Sequence, residues 1–331
     1  MCFLLTIFIS LPTHFSARSA KESITACWQI ESTEGVVDVD ARNLVFADPF
    51  GMALLAATFY RVRQRGGAVR VHYLNAQLSG YLQRMDVFHG VELVDCTPMQ
   101  GHRQDRADAL VEVTRLEQRR DVDAAALRLT TALVGRMPVT NRNEQPDEMT
   151  GFTEADRLAE PIQYAFNELL ENALTHARRA GYGGACVWVA CQYYPSSDLV
   201  RLGVVDNGCG LLATLRGHPA LNQETHLAAI LAALQPRVSC NRDLGLRADS
   251  VNQGVGLTTT QRIATSAGGR LYIASGDAIH SSKAYSHLTS GAGWQGVAIA
   301  LECKRQRLPE VHLRDLLPPL EPQPRVRLRF Q

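Results

Sequence analysis

Apolar and polar positions alternate and then switch to helical spacing several times between residues 36 and 95. The stretch VVDVD at 36–40 has the two-residue period of a strand, whereas residues 52–64 have the apolar spacing of a helix. Asp48 in the turn Asp48-Pro49-Phe50-Gly51 is the predicted N-cap of that helix. Further strands are predicted over 44–47, 68–74 and 91–94, and a further helix over 77–85. Strands that alternate with helices predict a small α/β unit over residues 31–96.

A second, larger unit is predicted over residues 152–304. Its predicted elements are a helix over 155–180, strands over 185–193 and 200–206, a helix over 256–267, and strands over 270–274 and 296–302. This order predicts an α+β sandwich with helices over one face of a sheet. The stretch 213–252 has no clear period, and we expect it to be irregular.

Three segments lie outside these two units. Residues 1–30 begin with the apolar run MCFLLTIFISLPTHF, which is short for a membrane span and has no Lys or Arg before its apolar core. We expect a poorly ordered extension or a start codon placed too far upstream, with a signal peptide as the alternative. Residues 97–151 are highly charged and predict a connector of amphipathic helices, or else a dimerisation element. Residues 305–331 contain Pro and Arg and predict an exposed tail.

Composition narrows the class of protein. The chain has 331 residues, of which 46% are hydrophobic and 20% are charged, and its formal net charge is +1. This balance is typical of a globular protein and gives no reason to expect nucleic acid as a partner. The eight cysteines are scattered without a CxxC pair, which favours reduced, buried thiols over zinc ligands. We therefore expect a cytoplasmic protein that does not enter a membrane.

The predicted helix over 155–180 contains the stretch FNELLENALTHA at 166–177, in which polar residues interrupt the apolar ones. Glu168, Asn172 and His176 are four residues apart, so they stack along one line of the helix. Asn172 and His176 drift toward the edge of the apolar face. Taken alone, this pattern favours an ordinary solvated helix face.

Two glycine motifs follow this helix. The strand over 200–206 runs into Asp206-Asn207-Gly208-Cys209-Gly210. A carboxylate here can accept a hydrogen bond from an exocyclic amine, and the glycines let a flat ring approach the backbone. The second motif, Asn252-Gln253-Gly254-Val255-Gly256-Leu257, immediately precedes a predicted helix, whose free N–H groups and dipole suit a phosphate. Each motif is common alone, so their combination and order are the informative features.

The three motifs in this order resemble those of the GHKL ATPases, which include DNA gyrase, the heat-shock chaperone ATPase, histidine kinases, mismatch-repair ATPases and anti-sigma-factor kinases. The resemblance covers residues 152–304 and implies a Bergerat-type α/β sandwich that binds ATP and Mg²⁺. It implies that Asn172 supplies an oxygen to Mg²⁺, that Glu168 is the general base, and that Asp206 binds the adenine amine. It also assigns Gly208 and Gly210 to the base pocket, and Gly254 and Gly256 to a phosphate cradle. Leu257 is assigned to the cofactor site, and His176 either faces the phosphates or has a structural role. Residues 213–253 correspond to the lid over the nucleotide.

The smaller unit resembles the STAS domain of anti-sigma-factor antagonists, on the strand–turn–helix VFADPFGMALLAATFYRVRQRGGAVRVHYL. In that family the helix start carries a phosphorylatable Ser or Thr, whereas Asp48-Pro49-Phe50-Gly51 contains neither. The resemblance therefore implies a protein-docking scaffold without this phosphorylation switch, and a generic βαβ unit is the alternative. The larger unit also departs from its family, because relatives open the last strand with Gly-Thr and this chain has Gln295-Gly296-Val297.

These resemblances predict a regulatory protein in which a STAS-like unit precedes an anti-sigma-factor-kinase-like ATPase domain. Because the resemblance places Glu168 where gyrase-like and anti-sigma-factor-kinase-like members carry their general base, it implies slow ATP hydrolysis or phosphorylation of a partner protein on Ser or Thr. The alternative is a non-enzymatic module in which ATP gates a protein interaction. A docking protein with a degenerate ATPase domain is a third hypothesis. The resemblance to GHKL proteins also allows a homodimer.

Overall fold

The computed structural model describes residues 8–99, 103–135, 154–236, 238, 256–282, 284–289 and 291–311. The N-terminal elements are β1 (Phe8–Ser10), β2 (His14–Phe15), α1 (Ala20–Ser32), β3 (Val36–Asp40), β4 (Phe46–Ala47), α2 (Pro49–Gln64), β5 (Ala68–His72), α3 (Ala76–Arg84) and β6 (Glu92–Val94). The later elements are β7 (Leu110–Leu116), α4 (Val122–Val134), α5 (Glu154–Ala177), β8 (Val187–Tyr194), β9 (Leu199–Asp206), α6 (Gly210–Leu215), α7 (His226–Ala233), α8 (Gly256–Ser266), β10 (Arg270–Gly276), β11 (Ala278–Ser281), β12 (Ala284–His287) and β13 (Trp294–Lys304).

A four-stranded parallel sheet organises the N-terminal part of the chain. Its strand order is β1-β3-β5-β6, and helices α1, α2 and α3 provide the crossovers that parallel strands require. The predicted small α/β unit is therefore confirmed as a parallel sheet with helices. The predicted N-cap is also confirmed, because Oδ1 of buried Asp48 accepts the N–H of Gly51 at 3.0 Å.

The residues predicted to form a poorly ordered N-terminal extension belong to this fold, so that prediction is wrong for residues 8–30. Strand β1 pairs with β3, and β2 pairs with β4. Ile24, Cys27 and Ile30 of α1 are completely buried in the core beneath α2. Apolar burial against β3 and α2 explains the hydrophobic character of this stretch.

An antiparallel sheet of seven strands, in the order β12-β11-β10-β13-β9-β8-β7, organises the rest of the described chain. Helices α4, α5 and α8 pack on one face, where Phe166, Leu170 and Ile263 are completely buried. The sheet alternates sides with the two-residue period, so Leu202 and Val204 of β9 join this core. The predicted helices and strands of the larger unit are confirmed, with bounds that differ by a few residues.

Three predictions about the segments around this sheet need correction. Residues 110–116, predicted to belong to a helical connector, form β7 and extend the sheet by pairing with β8. The predicted irregular stretch 213–252 contains helix α7 in its described part. The predicted exposed tail begins with a short 3₁₀ helix, Arg305–Glu310, in which Leu308 is completely buried. In each case tertiary packing outweighs local sequence pattern.

Helix α2 lies between the two sheets. Eleven of its residues are buried, which is the pattern of a helix covered on all sides. Toward the antiparallel sheet, Tyr60 meets Trp188 of β8 with ring centroids 5.2 Å apart. A side chain at Gly203 of β9 would lie 2.6 Å from the Phe50 Cα atom, so glycine is needed for this approach. Helices therefore cover both faces of the central strands, and the prediction of one covered face is wrong.

The turn predicted to correspond to the STAS phosphorylation site is covered by this packing. Asp48 is 1% exposed, and Phe50 is 2% exposed. Besides capping α2, Asp48 accepts the N–H of Ala17 through Oδ2 at 3.1 Å. A partner protein cannot contact this turn unless α2 separates from β9.

In the part of the chain described here, no helix combines the length and apolar character needed to cross a membrane.

Candidate functional site

Helix α5 carries three of the predicted site residues along one side. Phe166 and Leu170 direct its apolar face into the core. Glu168, Asn172 and His176 consequently lie at the margin of that face, where each is partly buried. The amphipathic spacing that predicted this helix thus also places its polar line beside the sheet.

Asp206 occupies the end of β9, where the strand turns toward α6. The residue is 3% exposed, and its Oδ1 accepts the N–H of Gly208 at 2.9 Å. The backbone N–H of Val297 also donates to this carboxyl group. Burial raises the pKa of Asp206 to about 7, although these two donors and the Arg61 guanidinium act in the opposite direction. Both protonation states are therefore accessible near neutral pH.

The turn after Asp206 is held close to the end of α5. The N–H of Cys209 donates to the Ala177 carbonyl at 3.1 Å. A Cβ atom at Gly208 would lie 2.2 Å from that same carbonyl oxygen, so no side chain fits there. On the other side, Oδ1 of Asn207 accepts the N–H of Cys186 at 2.9 Å. These contacts place the Asp206 turn opposite the polar line of α5.

A single cavity joins the three predicted motifs. Its lining includes six of the predicted site residues: Asn172 and His176 from α5, Asp206 and Gly210 from the β9–α6 turn, and Gly256 and Leu257 from the start of α8. The remaining lining residues are mostly apolar and come from α5, β9, α6, α7 and β13. An apolar cavity with a few converging polar groups is the usual form of a small-molecule site.

The other three predicted site residues have different positions. Glu168 is not among the lining residues, although it lies one turn before Asn172 and next to the start of α8. A Cβ atom at Gly256 would lie 3.2 Å from the Glu168 Cβ atom. Gly208 contacts Ala177 rather than the cavity. Gly254 lies outside the described residues.

The ionisable groups of α5 have shifted pKa values. Burial raises the pKa of Glu168, and the neighbouring Glu171 carboxylate raises it further, whereas Tyr164 and Arg119 oppose the shift. Burial lowers the pKa of His176 to about 4, and Arg179 contributes to this decrease. The His176 imidazole is therefore neutral at pH 7, so it can accept a hydrogen bond but does not add positive charge to the cavity.

Sequence reasoning missed the residues that support Asp206 from the start of β13. The indole Nε1 of Trp294 donates to the Asp206 carbonyl at 3.0 Å, and Nε2 of Gln295 donates to the Gly208 carbonyl at 3.1 Å. Gly296 has a φ of 121°, and a Cβ atom there would lie 2.2 Å from the Asp206 carbonyl oxygen. The sequence signal that could have indicated these residues is a tryptophan and a glycine at the start of an apolar strand. Val297 also lines the cavity and adds an apolar side chain to its wall.

Part of the predicted lid segment lines the cavity. Leu215 of α6, Ala233 of α7 and Val238 contribute to the lining. The cavity volume is about 100 Å³, which is smaller than the roughly 300–1,000 Å³ of typical ligand pockets. A nucleotide would therefore require these helices to move away from α5 and β13.

Mg²⁺, the cation that the resemblance implies, takes oxygen atoms as ligands. In the described part of the chain, no cluster of three or more His, Cys, Asp or Glu residues could hold a metal ion. Asn172 nevertheless offers one side-chain oxygen at the cavity wall. Mg²⁺ commonly retains water and binds substrate phosphates with only one or two protein ligands, so this residue fits such a site.

Comparisons with known proteins do not assign a family. No protein-family model matches the chain, and a search of curated proteins found no match. The GHKL and STAS resemblances therefore rest on the residues and motifs described above.

Proposed function

We propose that this protein binds Mg-ATP in the cavity between α5, the Asp206 turn and the start of α8, and that it acts as a regulatory ATPase or protein kinase. The observation that carries the proposal is the convergence of six predicted nucleotide-site residues from three separate segments on one cavity. This convergence supports the proposed GHKL-type site. The STAS-like identity of the N-terminal unit, a protein partner and a cytoplasmic location belong to the same proposal.

The proposed residue roles follow from the position and charge of each group. The Asp206 carboxylate accepts a hydrogen bond from the adenine amine, because its buried position leaves an acceptor at the cavity wall. The first turn of α8, beginning with Gly256, directs free backbone N–H groups toward phosphate. Glu168 accepts a proton from water or from a protein hydroxyl, and its raised pKa makes it a stronger base than an exposed carboxylate.

The side-chain oxygen of Asn172 is the proposed protein ligand of Mg²⁺. When bound, this cation offsets the negative charge of the transferred phosphate group. His176, which is neutral at pH 7, contributes a polar wall without competing for the cation site. The small volume of the cavity implies that α6 and α7 rearrange when nucleotide enters.

The first experiment is a calorimetric titration with Mg²⁺ and a non-hydrolysable ATP analogue. The wild-type protein is expected to bind, and the absence of binding at saturating analogue would refute the proposal. Turnover is then measured as phosphate release with ATP. Glu168→Ala should bind the analogue as the wild type does while losing turnover.

Glu171→Ala is the matched control for Glu168→Ala. Glu171 lies on the same helix but off the line of Glu168, Asn172 and His176, and it forms an ion pair with exposed Arg119 at 3.0 Å. We expect this control to retain both binding and turnover. Equal loss of turnover in both variants would contradict the role of Glu168 as a base.

A second candidate function is a non-enzymatic module in which ATP gates a protein interaction. The small volume of the cavity favours it, because nucleotide entry would have to move α6 and α7 and could thereby change a surface. Analogue binding without phosphate release, in the wild type and in Glu168→Ala alike, would support this module over an enzyme.

A further inference from the structure

An arginine of the N-terminal unit contacts the strand that supports the candidate nucleotide site. Arg61 of α2 donates through Nη1 to the Gln295 carbonyl at 3.1 Å. The same guanidinium forms an ion pair with Glu31 of α1 at 3.3 Å, and it lies over the Trp294 ring at 5.7 Å. Arg61 is thus fixed from α1 while it holds the beginning of β13.

The beginning of β13 in turn holds the Asp206 turn. Gln295 and Trp294 donate to the backbone carbonyls of Gly208 and Asp206, at 3.1 and 3.0 Å. The N–H of the following residue, Val297, donates to the Asp206 carboxyl group. Through these hydrogen bonds, Glu31 and Arg61 are connected to both the backbone and the side chain of Asp206.

A second cavity explains why these hydrogen bonds matter for the position of the turn. It has a volume of about 400 Å³ and lies between α1, α2 and the start of β13, with Glu31, Arg61, Gln295 and Gly210 in its lining. Gly210 also lines the candidate nucleotide cavity, so the turn separates two cavities. The Gly208 end of the turn packs closely against Ala177, whereas at Gly210, which lies between the two cavities, the hydrogen bonds from β13 supplement the packing.

We propose that Arg61 is a positioning residue for the nucleotide site: through Gln295, it holds the Asp206–Gly210 turn in the arrangement that binds the adenine base. The inference rests on the proposed function, because it concerns the affinity for nucleotide. It makes the N-terminal unit an intramolecular regulator, since any movement of α1 against α2 changes Arg61 and hence the turn.

The test compares three single variants in the full-length chain. Arg61→Ala removes the contact with the Gln295 backbone, and Gln295→Ala removes the contact with Gly208 while leaving Glu31 paired. Arg65→Ala is the matched control, because Arg65 lines the same second cavity and donates to the backbone carbonyls of Ile30, Glu31 and Thr33 but, among the described residues, not to β13. Gln295→Ala keeps the test decisive if loss of the Glu31 partner prevents Arg61→Ala from folding.

Two measurements separate positioning from a merely structural role. The first is the dissociation constant for the non-hydrolysable ATP analogue, together with turnover at saturating ATP wherever wild-type turnover is measurable. The second is hydrogen exchange of the 206–211 backbone amides in nucleotide-free protein. We expect Arg61→Ala and Gln295→Ala to weaken binding about tenfold, to leave saturated turnover unchanged, and to speed exchange in this turn.

Arg65→Ala should match the wild type in affinity and in exchange of the turn. The double variant of Arg61 and Gln295 should bind no more than about twofold more weakly than the weaker single variant, because the two residues act in series. Wild-type binding with unchanged affinity in Gln295→Ala and Arg61→Ala would overturn the inference and leave the proposed function intact. Absence of wild-type binding would overturn the proposed function and the inference with it.

Discussion

Replacement of Asp206 by Asn should stabilise the protein while it weakens nucleotide binding. Burial raises the pKa of this carboxyl group from its ordinary value of 3.8 to about 7. The folded protein therefore holds a proton that the unfolded chain has lost between these two pH values, so the free energy of unfolding falls as pH rises from about 4 to about 7. One pKa unit corresponds to about 1.4 kcal/mol, which sets an upper bound of about 4 kcal/mol for the loss at pH 8.

The Asn side chain has nearly the shape of the protonated Asp206 carboxyl group, but it does not titrate in this pH range. The free energy of unfolding should be similar for the two proteins near pH 4 and greater for Asp206→Asn by about 1–4 kcal/mol at pH 8. Other buried carboxyl groups with raised pKa values, such as those of Asp48 and Glu31, remain in both proteins and cancel in the comparison.

The assay is urea denaturation of both proteins at pH values between 4 and 8. At pH 8 the same variant should bind the ATP analogue roughly 10- to 100-fold more weakly, because the charged acceptor for the adenine amine is gone. A variant that is less stable than the wild type at pH 8, or a difference that does not change with pH, would refute this account of Asp206.

Three further predictions concern the helix α5, the Asp206 turn and the N-terminal residues. Gly208→Ala should lower the free energy of unfolding by about 1–3 kcal/mol, because its Cβ would clash with the Ala177 carbonyl. Gly183→Ala, where a Cβ meets nothing within 4 Å, should leave it unchanged in the same urea denaturation assay. Ile24→Ala should lower the free energy of unfolding by about 2–5 kcal/mol, because Ile24 is completely buried, whereas Lys21→Ala at an exposed position of the same helix should change it very little. Equal thermal stability of the two variants would contradict the packing of α1. If turnover is observed, its pH profile should rise with an inflection above the ordinary Glu value of 4.5, because Glu168 must be ionised to accept a proton; an inflection at or below 4.5 would exclude it as the base.

Much of the second unit could be predicted because its apolar periods agree with its final environment. Residues 200–206 are apolar on both sides of the strand, and both sides are covered in the structure. The polar line of α5 and the Asp206 turn were recognisable from their combination and order along the chain, and folding brings them to one cavity. The sequence could not indicate the small volume of this cavity, which depends on how α6 and α7 pack.

The contributions that sequence reasoning missed depend on residues distant along the chain. Arg61 and Gln295 are 234 positions apart, and neither belongs to a recognisable motif. Strand β7 contains charged residues and only partial alternation, so its pairing with the edge of β8 was not apparent. Residues 8–30 were misinterpreted because a short apolar N-terminal run has the same sequence pattern whether it packs on a parallel sheet or stays outside the fold.

Helix α2 has a consequence for the time during which the chain is being synthesised. Residues 49–64 leave the ribosome early, whereas β8, β9 and β13, which cover one side of this helix, are complete only when residue 304 has been added. At roughly 5–20 residues synthesised per second, this side of α2 remains incompletely covered for on the order of ten seconds or more. A nascent chain that stops before residue 187 would keep this apolar surface exposed, so we expect it to aggregate or to require a chaperone, while the finished protein does not.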